Sequence, residues 1–158
     1  MRETAALEQE LGAFLGKRHV VLFPTGWAAG YGVLRALVRP GDQVVVDALA
    51  HNCLQHGAAA STPSVHAFRH NDLSSLERSL RRARGRQPDG AVVVVTESLF
   101  SMDSDHPDFG AMQALCHTYG ASLCVDAAHD LGVHGPGGRG GLAGPGATDS
   151  NAHIVGAI

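Results

Sequence analysis

Four consecutive valines between Ala91 and Thr96 constrain this chain more than any other stretch. A run of β-branched residues with no polar interruption fits a strand buried on both faces, the situation of a parallel sheet covered by helices on either side. A second run, from Ala121 through Ser122, Leu123, Cys124 and Val125, ends abruptly in Asp126, and His129 follows three positions later. Asp126 therefore falls at a strand's carboxyl end, where open α/β sheets place their ligands. A carboxylate buried there is costly unless a cation or a strong donor meets it.

The rest of the chain supplies the layers around these strands. Apolar residues at Ala5, Leu7, Leu11, Phe14 and Leu15 make a helical stripe over 4–15, with Thr4 as its cap and Gly16 as its stop. Val20 to Phe23 reads as a short strand broken by Pro24-Thr25-Gly26, and Trp27 to Leu37 as a helix. Gln43 to Val46 is a strand ended by Asp47, and a helix over 51–60 follows. Val65 to Phe68 is a strand, and Asn71-Asp72 caps an amphipathic helix from about Leu73 to Arg84. A helix opens at Pro107 to Phe109 and continues to Tyr119, where Gly120 ends it. Strands and helices alternating with short links predict an α/β fold of three layers, αβα, with a mostly parallel sheet. From Leu131 to Gly146 the chain is nearly all Gly, Pro and His, and Ile154-Val155 begins another apolar run. No repeat or linker divides residues 1–158, so one domain is expected, and the abrupt start and finish suggest that it is partial.

Composition excludes several classes of function. The net charge of −3 gives no reason to expect nucleic acid or an anionic membrane as partner. The arginine-rich tract from Arg78 to Arg86 reads as a solvated helix face. No uninterrupted apolar span is long enough to cross a bilayer, and the cytoplasm is the default compartment. Cys116 and Cys124 sit in apolar surroundings, as small core residues do. Of the 12 lysines and arginines only Lys17 is a lysine, so chemistry needing an amine must use Lys17 or come from outside this chain.

Four groups fall at strand ends: Thr25-Gly26-Trp27, Asp47 with His51, Glu97 through Asp105, and Asp126 with His129. In a parallel sheet these ends share one rim and could converge. Thr25, Gly26 and Trp27 open a helix, where free N–H groups and a hydroxyl suit a phosphate; a plain N-cap is the simpler use. His51 can stack on a flat ring or merely cap its helix. Ser101 lacks the Gly-x-Ser-x-Gly setting of a hydrolase nucleophile and serves better as a hydrogen-bond donor to a ligand, or as a cap of the turn before Asp103. Asp126 and His129 could ligate a metal, but no second pair with ligand spacing accompanies them, and no metal is assigned. A phosphate, a flat ring and a basic ring nitrogen together describe pyridoxal phosphate (PLP), whose protonated pyridine is an electron sink.

The chain resembles the α-oxoamine synthases, PLP-dependent enzymes of the class I/II aminotransferase superfamily. The resemblance runs from Leu7-Glu8 to Arg139-Gly140. It is carried by Phe68-Arg69-His70-Asn71-Asp72, by Thr96-Glu97-Ser98-Leu99-Phe100-Ser101-Met102-Asp103, by Val125-Asp126-Ala127-Ala128-His129, and by Gly132-Val133-His134-Gly135 with Gly138-Arg139-Gly140. It implies the central part of the large domain of the aspartate-aminotransferase fold. It also implies that Gly26 and Trp27 meet the cofactor phosphate, His51 stacks on the pyridine, Asp126 pairs with the ring nitrogen, His129 bonds the phenolic oxygen and Ser101 lies nearby. The implied catalytic residues are His51, Asp126 and His129. The implied reaction condenses an amino acid with an acyl-CoA in a homodimer. An aminotransferase or lyase of the same fold, or a non-catalytic fragment binding a partner or ligand, is the alternative. His51-Asn52-Cys53 stands where the family has His-Ala-Ser, and Ser104 where it commonly has Gly. The family's cofactor-linking lysine follows a run like His153-Ile154-Val155-Gly156, and this chain ends at Ile158 without it. These 158 residues alone are therefore expected to be inactive.

Overall fold

The computed structural model describes residues 2–143 and 152–155. Five parallel strands, β1 (Gln43–Asp47), β2 (Val65–Phe68), β3 (Val92–Glu97), β4 (Ser122–Asp126) and β5 (Ala152–Val155), form one sheet in the order β2-β1-β3-β4-β5. β1, β3 and β4 occupy its interior, which is why their sequences carry the unbroken apolar runs. Val44, Val45, Val94, Val95, Cys124 and Val125 are fully buried.

Side-chain alternation along each strand divides the core in two. On one face Val45, Val92, Val94, Leu123 and Val125 meet Leu76, Leu80 and Ala83 of α4 (Leu73–Arg86) and Met112 and Cys116 of α5 (Phe109–Thr118). On the other, Val44, Val46, Val93, Val95 and Cys124 meet Leu34 of α2 (Gly26–Leu37) and Cys53, Leu54 and Ala58 of α3 (Asn52–Ser61). The architecture is thus the expected αβα sandwich. α2 and α3 approach closely, because Gly30 lies against Cys53 Sγ where a Cβ would collide.

Helix ends follow local chemistry. Thr25 Oγ accepts from Ala28 N at 3.0 Å, Asp72 Oδ1 from Ser75 N at 2.8 Å, and Asp108 Oδ1 from Ala111 N at 3.0 Å. Gly16, at φ +65°, stops α1 (Arg2–Leu15), which already begins at Arg2 and so leaves Thr4 inside it rather than capping it. No α1 residue is buried.

Two further sequence expectations are corrected. Val20 to Phe23 is not a strand: it pairs with no neighbour among the described residues, Val21 is 72% exposed, and Phe23 lies over Gly32 of α2. An apolar tetrapeptide becomes a strand only where a sheet edge is available to pair with it. Arg84 is no solvated residue either. Its guanidinium donates to the carbonyls of Tyr119 (2.7 Å), Gly120 (2.7 Å) and Gly90 (2.6 Å), closing the loops beneath the sheet. The apolar run at Ile154-Val155 is the end of β5.

The glycine-rich stretch after β4 is held by Asp130. Its buried carboxylate accepts from Gly141 N at 2.8 Å and meets His134 Nδ1 at 3.2 Å. Among the described residues no helix is long and apolar enough to cross a membrane.

Candidate active site

Three acids close neighbouring strands at one rim: Asp47 on β1, Glu97 on β3 and Asp126 on β4. Alternation decides where each points. Glu97 and Asp126 are register partners, each two residues beyond a side chain facing α2 and α3 (Val95 and Cys124), so both face those helices. Asp47 follows Val46 and takes the opposite face, towards α4. The expected grouping of Asp47 with His51 is therefore corrected: Asp47 bonds His70 Nδ1 (2.9 Å), Asn71 N (3.2 Å) and Leu49 N (2.9 Å) instead.

Asp126 is only 8% exposed. Its Oδ1 accepts from Ala128 N at 3.0 Å, and no arginine among the described residues pairs with it. Burial raises its carboxyl above the ordinary value, while the Ala128 N–H and the nearby His51 and His129 pull it back down. Burial, and then the Asp126 charge, push Glu97 up to about 7. Glu97 Oε1 accepts from His51 N at 2.7 Å, so this acid fixes the backbone at the start of α3.

His51 is exposed and serves as the N-cap of α3, accepting from Cys53 N at Nδ1 (3.3 Å). Cys53 Sγ lies 3.0 Å from the same nitrogen. Burial and the Asp126 carboxylate push this thiol up to about 11, so it keeps its proton and donates. With two donors at Nδ1, the ring proton of neutral His51 resides on Nε2. Cys53 thus does what a hydroxyl would do at this position. The capping use of His51 and an outward-facing ring coexist.

At the start of α2 the Thr25 cap engages Ala28 N, and Ala29 N bonds Thr25 O. The Gly26 and Trp27 N–H groups carry no partner among the described residues. They lie on the sheet face that Asp126 addresses. Trp27 is exposed, stacking on Tyr31 with ring centroids 5.1 Å apart.

Ser101 is exposed in the loop after β3 and caps nothing; the turn is closed by Ser104 N to Phe100 O (2.9 Å) and Phe100 N to Asp105 O (3.0 Å). Ser104 holds φ +56°, a left-handed conformation that suits glycine. Ser104→Gly is expected to stabilise the chain by about 1 kcal/mol, the left-handed penalty less the added entropy of the unfolded glycine. Urea denaturation of the two proteins measures it.

The structure therefore brings His51, Asp126 and His129 together, with the α2 N-terminus (Thr25, Gly26, Trp27) on the same face. Glu97 belongs with them. Its signal in the sequence was its place at the end of the valine strand, level with Asp126. Among the described residues no group of three or more His, Cys, Asp and Glu side chains could hold a metal ion. A buried carboxylate with one bonded N–H donor and no paired arginine, on the same sheet face as a helix start whose first two N–H groups have no partner among the described residues, fits a ligand that is anionic at one end and carries an acidic N–H at the other. PLP meets that description.

Comparison with known proteins identifies the family and its cofactor. The chain is 40% identical over 147 residues to an 8-amino-7-oxononanoate synthase of a Polaromonas species, covering 93% of this chain and 35% of that protein. It is 42% identical to the 8-amino-7-oxononanoate synthase of Geobacter sulfurreducens, covering 86% of this chain and 34% of the relative. The chain thus spans about a third of the length of these relatives. Among solved structures, a serine palmitoyltransferase of Sphingomonas wittichii superposes with a TM-score of 0.84 at 31% identity, covering 90% of this chain and 35% of the other. A variant of the enzyme from S. paucimobilis with a bound PLP–myriocin aldimine gives 0.90 at 30% identity, covering 99% and 40%. The α/β fold expected from the sequence is the fold of these PLP-binding transferases. Residues 1–156 match the model of the family Aminotransferase class I and II, and the chain belongs to that family.

Proposed function

We propose that this chain is the cofactor-binding part of a PLP-dependent acyltransferase that condenses an amino acid with an acyl-CoA. The observation that carries the reading is Asp126, a buried carboxyl beside two histidines with no arginine paired to it among the described residues. In this reading Asp126 holds a proton on the pyridine nitrogen. His51, oriented through Nδ1 by Cys53, lies against the ring face. His129 donates to the phenolic oxygen, and Ser101 adds a hydroxyl nearby. The Gly26 and Trp27 N–H groups and the Thr25 end of α2 take the phosphate, where the helix dipole favours an anion. When bound, PLP supplies an electron sink for the carbanion formed at the amino acid's α-carbon. The residues of this chain bind and orient the ring and fix its protonation. The choice of substrates, an amino acid and an acyl-CoA thioester, follows from the relatives.

The complete protein is proposed to be a cytoplasmic homodimer in which residues 1–158 are part of the large domain. The test is turnover by the complete protein that carries this chain. Supplied with PLP, an amino acid and a panel of acyl-CoA thioesters, it is expected to release free CoA thiol and CO2. Conversion of the amino acid to its keto acid without CoA release would instead indicate an aminotransferase, and PLP binding with neither product would overturn the acyltransferase reading.

A further inference from the structure

On the face of the sheet opposite Asp126, His70 stands between two carboxylates that belong to different parts of the chain. Its Nδ1 lies 2.9 Å from Asp47 Oδ1 at the end of β1, and its Nε2 lies 3.0 Å from Asp105 Oδ2 in the loop between β3 and α5. Asp47 is completely buried. The ring also packs edge-on against buried Phe100, with centroids 4.4 Å apart. Asn71, at φ +51°, donates from its backbone N to Asp47 (3.2 Å) and from Nδ2 to Asp105 (2.9 Å). Its Oδ1 is left buried without a partner among the described residues, so the amide is aimed at Asp105 at the expense of its own acceptor.

We propose that His70 is a positioning residue that ties the Ser101-bearing loop to the end of β1 through Asp47 and Asp105. The loop from Ser98 to Asp105 is held at Phe100 and at Asp105, on either side of Ser101, and His70 touches both anchors. Remove the ring, and the loop keeps its own turn bonds and the Asn71 amide but loses the link from Asp105 and Phe100 to Asp47 that fixes the height of Ser101 above the rim. That His70 thereby serves a cofactor rests on the PLP reading; the tie itself does not.

Ionised carboxylates only accept, so two of them on opposite nitrogens require an N–H on each: the imidazolium form. A neutral ring protonated at Nδ1 would instead accept at Nε2 from Asn71 Nδ2, 3.3 Å away, but would then face the nearer Asp105 oxygen lone pair to lone pair. The charged form satisfies the geometry and the neutral one does not. Burial opposes the charge, yet Asp47 and Asp105 outweigh it and hold His70 above the ordinary histidine value of 6.5. The groups facing it are Asp47 from β1, Asp105 and Phe100 from the loop, and, further off, Glu97 from β3. A raised histidine contributes its stabilisation fully below 6.5 and loses it as pH rises through the folded value, so the tie loosens on the alkaline side.

The test follows ring and amide nitrogens of the isotopically labelled chain by NMR against pH, with no cofactor present. Both His70 nitrogens are expected to be protonated at pH 6.5, with a midpoint above 6.5. The amides of Phe100 to Ser104 should shift with that same midpoint. His70→Gln should abolish this shared transition. Asp105→Asn, at a half-exposed position, should lower the midpoint and move the same amides. A His70 ring with one bare nitrogen at pH 6.5, or loop amides that ignore its titration, would overturn the proposal. Because PLP is absent throughout, a failed cofactor reading would leave these outcomes unchanged and would show separately as no binding of PLP.

Discussion

Asp126→Asn is expected to weaken PLP binding by the complete protein roughly 10- to 150-fold. A hydrogen bond to a charged partner contributes about 1.5–3 kcal/mol, and each 1.4 kcal/mol is tenfold in affinity. Asparagine keeps an oxygen to accept from Ala128 N, so the backbone after β4 stays in place. What is lost is the negative charge. A neutral amide cannot stabilise a pyridinium, and the ring proton is given up. The groups proposed to bind the phosphate, at Gly26 and Trp27, are untouched, so inorganic phosphate should compete with equal strength in both proteins. Stability should rise slightly, because a desolvated carboxylate has been replaced by a neutral group. Fluorescence titration with PLP gives the affinities, and unchanged binding would remove Asp126 from the cofactor's ring. Wild-type affinity should also fall as pH drops through the raised Asp126 value, whereas the Asn variant should be flat there.

The sheet was legible in the sequence because buried parallel strands leave a continuous β-branched signature, as Val92 to Val95 and Leu123 to Val125 do. Val20 to Phe23 has similar composition, yet nothing in four residues tells whether an edge is free to pair with them. The rim was legible as a row of strand ends. Its division into two faces lay in the parity of the strands, since Asp47 is one step from Val46 while Glu97 and Asp126 are two from Val95 and Cys124. The grouping of Asp47 with His51 by proximity in sequence overlooked that step. His70 lay in a motif that signalled the family, but its partners are 23 and 35 residues away, and only the folded sheet brings them together. Arg84 is similar: its charge suggested solvent, and its carbonyl partners on Tyr119 and Gly120 are supplied by the end of α5. Local rules reach most caps and turns, such as Thr25, Asp72 and Asp108; contacts between elements exist only in the folded chain.

The largest stability effect is expected from Glu97→Gln, and it depends on pH. Glu97 is buried next to Asp126, and these two causes move it from 4.5 to about 7. The folded state therefore holds a proton on Glu97 over a range in which the unfolded chain has released it. A raised value means that stability is fully present below 4.5 and is lost as pH climbs through 7. At 1.36 kcal/mol per pH unit the loss is about 3 kcal/mol at most. Glutamine keeps an oxygen for the His51 N–H and never ionises, so its stability should not fall over this window. Relative to wild type the variant should gain up to about 3 kcal/mol between pH 5 and pH 8, measured by urea denaturation at the two values. Parallel pH curves for the two proteins would show that Glu97 ionises freely. The direction of the effect also bears on the site. Two carboxylates on adjacent strand ends do not both ionise without cost, and the proton retained by Glu97 leaves the negative charge on Asp126, where a pyridinium would meet it. Glu97→Gln should therefore leave PLP affinity near wild type at pH 7, and a loss as large as that of Asp126→Asn would assign the charge to Glu97 instead.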